Sequence, residues 1–366
     1  MKAEQNHSSL SLTPLGAGDL IDRAVRFYRN NFWTFVWMAA PPIIVGTLIS
    51  IGWTIMGREL FNVNSRTADD RLISSIFTFL GNFAIWFFES VATLMVMGGA
   101  SRNFVRHILF GEPLTFRETY TNVRARFGGL LGASLIIVTT LSIFGLIIFY
   151  IGLLVLFLCV GLIVLVLLQF SPFLTFIFSF FLGLAIIFGF VWLFFLVASR
   201  LAYVQQIMMV EGQGVFPAIV RSTSLASGNV KRLVALFFFT TLATYSALLL
   251  FYVPLGWYAY ANGIEVFSYD PDAIPAWYLI AGQVVSQASL ILLMPIWMAG
   301  LCLLYVDERV RHEGYDIELM AAVNLGEIPA LPRQYSNPLQ PALATTSTPP
   351  VFAPPNKSSG SVLGLD

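Results

Sequence analysis

A chain of 366 residues that is 57% hydrophobic and 11% charged, with mean hydropathy +0.78, falls outside the range of water-soluble domains and belongs to the membrane class. Its formal net charge of zero supplies no basic field for nucleic acid and none for a strongly anionic substrate. The two cysteines, Cys159 and Cys302, both fall in apolar runs, which argues against a disulfide framework or a thiolate metal site.

In chain order, residues 1–18 form a polar N-terminal segment that leads into a long apolar run without a small-residue cleavage site, so no cleaved signal peptide is expected. A polytopic membrane domain is expected over 19–327. Runs of spanning length lie near 32–56, 73–100, 233–257 and 277–306. Between Phe127 and Ser199 there is no charged residue at all. The 129–199 stretch is read as two crossings, with breaks near Gly152, Gly161 and Ser171-Pro172; four crossings is the alternative. All these runs are too long and too continuously apolar for transmembrane strands, so the spanning unit is the helix.

The charges set the topology. Basic residues cluster before the first span (Lys2, Arg23, Arg26, Arg29), after the second (Arg102, Arg106, Arg117, Arg124, Arg126), after the central run (Arg200, Arg221, Lys231, Arg232) and after the last (Arg309, Arg311, Arg333, Lys357). The first hairpin loop carries Arg58, Arg66 and Arg71, whereas the loop from Tyr258 to Ala276 carries no cation and holds Glu265, Asp270 and Asp272. The positive-inside rule then puts the four basic regions and both termini in the cytoplasm of a bacterial inner-membrane type protein, and the central run crosses an even number of times.

An internal repeat agrees with that count. Shifts of 95 and 198 residues carry Ile21, Val25, Tyr28, Phe32 and Phe35 onto Phe116, Tyr120, Val123, Phe127 and Leu130, and onto Ile219, Thr223, Ala226, Val230 and Leu233. Each set is one apolar stripe at helical spacing, with arginines on the other side. Asp19 is placed to cap the first copy, Thr115 with Glu118 to form a capping box on the second, and Pro217 suits an early helical position in the third. The fold class expected is an all-α integral membrane protein, a helical bundle of about six spans in three hairpins, each preceded by an interfacial amphipathic helix.

Trp33 and Trp37 fall at the inner interface, and Trp257, Tyr258, Tyr260, Trp277 and Tyr278 at the outer one. From residue 328 to 366 prolines, serines and threonines replace large apolar residues, as in a disordered cytoplasmic tail.

Pro14-Leu15-Gly16, Asp19-Leu20-Ile21-Asp22-Arg23-Ala24 and Phe27-Tyr28-Arg29-Asn30-Asn31-Phe32 resemble the opening of a large, mostly uncharacterised prokaryotic family of polytopic membrane proteins. That family is related to the membrane domain fused to some glycerophosphodiester phosphodiesterases. Val210-Glu211-Gly212 with Ala218, Arg221-Ser222 and Gly228 resembles its second signature. Leu304-Tyr305, Asp307, Arg309, Arg311, Glu313-Gly314 and Asp316 resembles its closing one. The resemblance implies fold and location only: the phosphodiesterase barrel is missing, and the central apolar run looks expanded relative to the family.

Glu89 is the sharpest candidate, in Trp86-Phe87-Phe88-Glu89-Ser90 past the middle of the second span. Intramembrane carboxylates face a bundle interior, a partner or a wet cavity, and serve proton coupling, cation or polar-cargo binding, or the locking of helices. Gln283 and Gln287, one turn apart with Ser286 beside them, are its expected partners; Asn82 and Gln169 are others. Arg23, Arg26, Arg29, Arg117, Arg124, Arg126, Arg221, Lys231 and Arg232 are candidate contacts for lipid headgroups or a protein partner at the cytoplasmic face, against a plainer role in topology and snorkelling. Asp307 to Glu313 read as a solvated helix end with pairs Asp307/Arg311 and Arg309/Glu313.

Enzyme signatures are missing. His7, His107 and His312 lie far apart without metal-ligand spacing, and Asp19/Asp22 and Asp69/Asp70 suit helix starts or loops. No phosphate loop or Gly-x-Ser-x-Gly elbow occurs, and no cofactor or metal is expected. Two function classes remain: a non-enzymatic module organising membrane lipids or partner proteins, and a transporter or permease-like protein using Glu89.

Reporter fusions after residues 110, 213 and 325 are expected to read as cytoplasmic, and those after 66 and 268 as periplasmic. A cytoplasmic reading at 268 contradicts the six-span topology.

Overall fold

The computed structural model describes residues 16–61, 68–110, 112–264 and 274–313. The expectations for residues 1–15, for Arg66, Glu265, Asp270 and Asp272, for the chain beyond 313, and for the side chains of Asp69, Asp70, Arg71 and Glu313 lie outside the described residues.

The described chain is all-α. Six helices are long and apolar enough to cross a membrane: α2 (Phe32–Leu60), α3 (Ala68–Phe110), α5 (Phe127–Leu167), α6 (Pro172–Leu201), α9 (Val230–Ala261) and α10 (Ala276–Glu313). The protein is therefore a multi-pass membrane protein with a helical-bundle fold. Consecutive long helices pair as α2/α3, α5/α6 and α9/α10. The central apolar run makes two helices, joined through Leu168–Ser171. Pro172 opens α6 and the Ser171 hydroxyl accepts from Leu174 N–H at 3.5 Å, so chain chemistry ends one helix and starts the next. Gly152 and Gly161 stay helical, because no proline or polar cap accompanies them.

Short helices precede the hairpins: α1 (Ala17–Asn30), α4 (Phe116–Ala125) and, after α7 (Val204–Val210), α8 (Val215–Leu225). With the adjoining ends of α3 and α10 they make a compact base. The repeat seen in the sequence keeps its register here. Leu20, Ala24, Tyr28 and Phe35 are buried, as are Thr119, Val123 and Leu130 at a shift of 95, and Ala218, Ser222, Ala226 and Leu233 at 198. Leu20 and Ala24, one residue before Ile21 and Val25, sit deepest; the apolar stripe is centred slightly earlier than expected. The breaks match too: Asn31 (φ −121°, ψ 29°) and Arg126 (φ −124°, ψ 30°) are 95 residues apart.

The repeat extends to the second helix of each hairpin. Phe104-Val105-Arg106-His107, Tyr203-Val204-Gln205-Gln206 and Tyr305-Val306-Asp307-Glu308 each end a long helical run at the base, and every aromatic and valine among them is buried. The polar pair that follows is basic, neutral or acidic according to copy.

Helix starts differ from expectation in detail. Gly16 caps α1, and Asp19, three residues on, accepts from Gly16 N–H at 3.3 Å. Thr115 caps α4 by position, but its hydroxyl meets the Glu118 carboxylate at 3.5 Å and makes no bond to the helix backbone. Tyr278 is buried, while Trp257, Tyr258, Tyr260 and Trp277 are exposed as interface anchors are.

α10 is the central stave: two thirds (67%) of its most apolar window is buried against none (0%) for α5. α5 and α6 pack mainly on each other, and the distal part of their hairpin presents apolar side chains all round. Hydrocarbon does not drive apolar helices together, so small residues let the backbones approach. A Cβ on Gly81 would overlap the Trp53 indole, and one on Gly99 would lie 2.7 Å from the Thr119 carbonyl oxygen.

Candidate functional site

α2, α3 and α10 meet around Glu89. Gly46, at the midpoint of α2, gives it room: a Cβ there would lie 2.9 Å from a Glu89 carboxylate oxygen. From α10, Gln287 lies beside the Glu89 side chain, and Gln283, one turn away, donates to the Ser50 hydroxyl at 2.9 Å. The glutamines therefore take different partners, one on α3 and one on α2. The Gln287 carbonyl oxygen is buried without a partner among the described residues. Fourteen residues at ~1.5 Å each separate Gly46 from either end of α2, which puts the carboxyl about 21 Å from both ends. Asn82 and Gln169 are exposed elsewhere and do not join it.

Beside this junction α2 and α3 part into an open groove of about 880 Å³, apolar apart from the carboxyl. Pro41, Ile49 and Trp53 line it from α2, Phe77 and Phe88 from α3, and Tyr120 and Phe127 lie at its base end. Trp53 stacks on Phe77 with ring centroids 4.2 Å apart. The groove's form follows from the sequence of α2. Pro42 has no N–H for the Met38 carbonyl, four residues back, and Tyr120 from α4 donates to that oxygen instead at 2.9 Å. In α1, Tyr28 likewise donates to the Leu292 carbonyl, near Pro295 of α10. Burial pushes both phenols up to about 12, so they remain protonated donors through the physiological range.

The basic candidates divide. Arg29, Arg117, Arg124 and Lys231 are exposed at the base, and Arg26 pairs with Asp22 on the surface at 2.7 Å. Arg23 is half-buried. Arg126 is turned onto the α7–α8 connection, donating to the carbonyls of Met208 (2.7 Å), Gly212 (3.1 Å) and Gln213 (3.4 Å). Arg221 pairs with Glu211 at 3.2 Å. Arg232 bridges Asp307 and Glu308 of α10. The last three spend their guanidinium groups on contacts within the protein, Arg126 while still exposed and Arg221 and Arg232 partly buried.

That internal cluster is what sequence reasoning missed. Asp307, Glu308 and Arg309 are 5%, 0% and 1% exposed, so α10 is buried through this stretch; Arg311, which pairs with Asp307 at 2.8 Å, and His312 are exposed at its tip. α7, α8 and the start of α9 cover the buried stretch: Tyr305 donates to Glu211 at 2.9 Å, Arg309 approaches Glu211 at 3.9 Å, and His312 lies 3.3 Å from Glu308. Asn229, at the α8–α9 junction, donates to the Tyr203 hydroxyl. The matching Tyr203-Val204 and Tyr305-Val306, 102 residues apart, are the available signal, because they mark two copies of one buried position.

Among the described residues no group of three or more His, Cys, Asp or Glu side chains is placed to hold a metal ion. No family model matches the chain, and no match arises among curated proteins or solved structures.

Two substitutions separate structural from functional contacts. Arg232→Met leaves Asp307 and Glu308 without their shared cation and is expected to cost about 3–5 kcal/mol in thermal or denaturant unfolding. Glu89→Leu strands only Gln287 and is expected to cost about 1 kcal/mol, the usual scale of a hydrogen bond within a membrane. An equal cost for the two contradicts this division.

Proposed function

We propose that the protein is a non-enzymatic module of a bacterial-type cytoplasmic membrane that organises lipids by holding an amphiphile, taken sideways from the bilayer, in the α2–α3 groove. The base and both termini face the cytoplasm in this reading. One observation carries it: an open apolar groove of drug-like volume ends on a single carboxyl at mid-length of a spanning helix. Apolar chains fill the groove, and the Glu89–Gln287 pair gives one polar group a fixed place. Exposed Arg29, Arg117, Arg124 and Lys231 support the cytoplasmic assignment, since each near-surface cation contributes ~1 kcal/mol toward anionic lipid. The same cations offer a protein partner its contact surface at that face. Kinship with the family resembled above is proposed on its three short motifs alone.

A second reading, a transporter or permease-like protein, is favoured by the depth of Glu89, where carboxyls serve ion and proton pathways. It requires Glu89-dependent flux in proteoliposomes.

The lipid-binding reading is tested with the full chain in vesicles doped with a photoactivatable phosphatidylcholine. Crosslinks are expected to concentrate on the groove segments of α2 and α3 and to fall several-fold in Ala84→Trp, which fills the groove. Labelling spread evenly over the bundle and indifferent to Ala84→Trp reports ordinary annular lipid and contradicts the proposal.

A further inference from the structure

We propose that the groove takes a lipophilic monocation, whose charge rests on the Glu89 carboxylate and whose binding displaces one proton from it. This rests on the amphiphile-binding reading and names the ligand class.

Charge is sparse around the groove. Glu89 is the one charged residue between Leu72 and Ser101, and residues 32–57 of α2 and 276–306 of α10 carry none. Among the described residues it enters no ion pair. The nearest cations along the adjoining helices are elsewhere. Arg58 donates to the Ile274 carbonyl at 2.5 Å beyond the far end of the groove, and Arg102 lies thirteen residues, ~20 Å, along α3 toward the base. From α4 the titratable group in the lining is Tyr120, whose hydroxyl is committed to Met38. From α10 the facing groups are Gln283 and Gln287, both neutral, and from α2 Gly46 and Ser50.

A lone carboxylate in hydrocarbon is too costly to persist and is cancelled by whatever reaches it. In the empty groove that is a proton. In the filled groove it is the ligand's own charge. The exchange balances: the carboxylic acid releases a proton to water as the cation enters, and the site stays neutral throughout.

The rest of the lining selects among cations. A metal ion needs several oxygen ligands to replace its hydration shell, and the carboxyl and one amide do not supply them. A large, weakly hydrated organic cation loses little on leaving water. It gains apolar contact along the groove with side chains such as Trp53, Phe77 and Phe88. Anionic and neutral amphiphiles gain nothing from ionisation of Glu89, and an anion would hold the carboxyl in its neutral form.

Tetraphenylphosphonium is the probe, with binding to the purified full chain measured between pH 5 and 9. Because a proton competes for the same carboxylate, affinity is expected to rise about tenfold per pH unit while Glu89 is protonated in the empty protein, then to level. One proton released per cation bound is expected in weakly buffered solution. Glu89→Gln is expected to weaken binding about tenfold or more at high pH and to abolish the pH dependence, whereas Glu89→Asp keeps it. Photolabelling by the neutral phosphatidylcholine analogue is expected to persist in folded Glu89→Gln. Cation binding that ignores pH, or survives Glu89→Gln unchanged, overturns the proposal while retained lipid labelling leaves the groove's lipid role standing. Loss of specific labelling in the wild type removes that role as well.

Discussion

Inside hydrocarbon no solvent pushes apolar helices together, and this constraint shapes the whole molecule. Where the six long helices run through lipid they approach closely at small residues such as Gly46 and Gly81, at a few polar side chains and at aromatic pairs such as Trp53 and Phe77. The dense core lies instead at the base, where α1, α4, α7 and α8 pack on the ends of α3 and α10. There water is near and apolar burial regains its force. The base fixes where each hairpin begins, and within the first one α2 and α3 part enough to leave a groove between them.

Two kinds of polar contact divide the work. At the base, Arg232, Asp307, Glu308, Glu211 and Arg221 neutralise one another in a cluster that ties α8, α9 and α10 together. At mid-length, Glu89 has only a neutral amide beside it and an open groove before it. A carboxylate surrounded by arginines is a fastener. One left without a cation in an apolar groove is the feature on which the proposed binding role rests.

Helix count, hairpin pairing and the threefold repeat were legible because they depend on hydropathy and period, which each residue carries on its own. Of the Ile21, Val25 and Tyr28 stripe, Tyr28 and its copies Val123 and Ala226 are buried, while Phe116 and Phe127 are exposed; the 95- and 198-residue shifts hold better than the face assigned to them. Glu89 was legible as an anomaly, and Gln287 as a partner at the right depth, since polar residues in apolar runs are few. The groove was not legible: it depends on Pro42 freeing the Met38 carbonyl and on Tyr120, from a distant helix, reaching it. Nor was the fate of the arginines. Arg126 and Arg232 look like their neighbours Arg124 and Lys231, and only the arrival of α7 and α10 gives them partners within the protein. Asp307 to Arg309 read as a wet helix end for the same reason, because the segments that bury them lie about a hundred residues earlier in the chain.

The central claim is that Glu89 is a carboxyl reached from the lipid and not from water. It is tested most directly by treating the protein in lipid vesicles with dicyclohexylcarbodiimide, a carboxyl reagent that partitions into bilayers, and locating adducts by peptide mass spectrometry. The account predicts an adduct on Glu89 from this reagent and none from a water-soluble carbodiimide at equal concentration. Equal modification by both reagents, or none by the hydrophobic one, would contradict it.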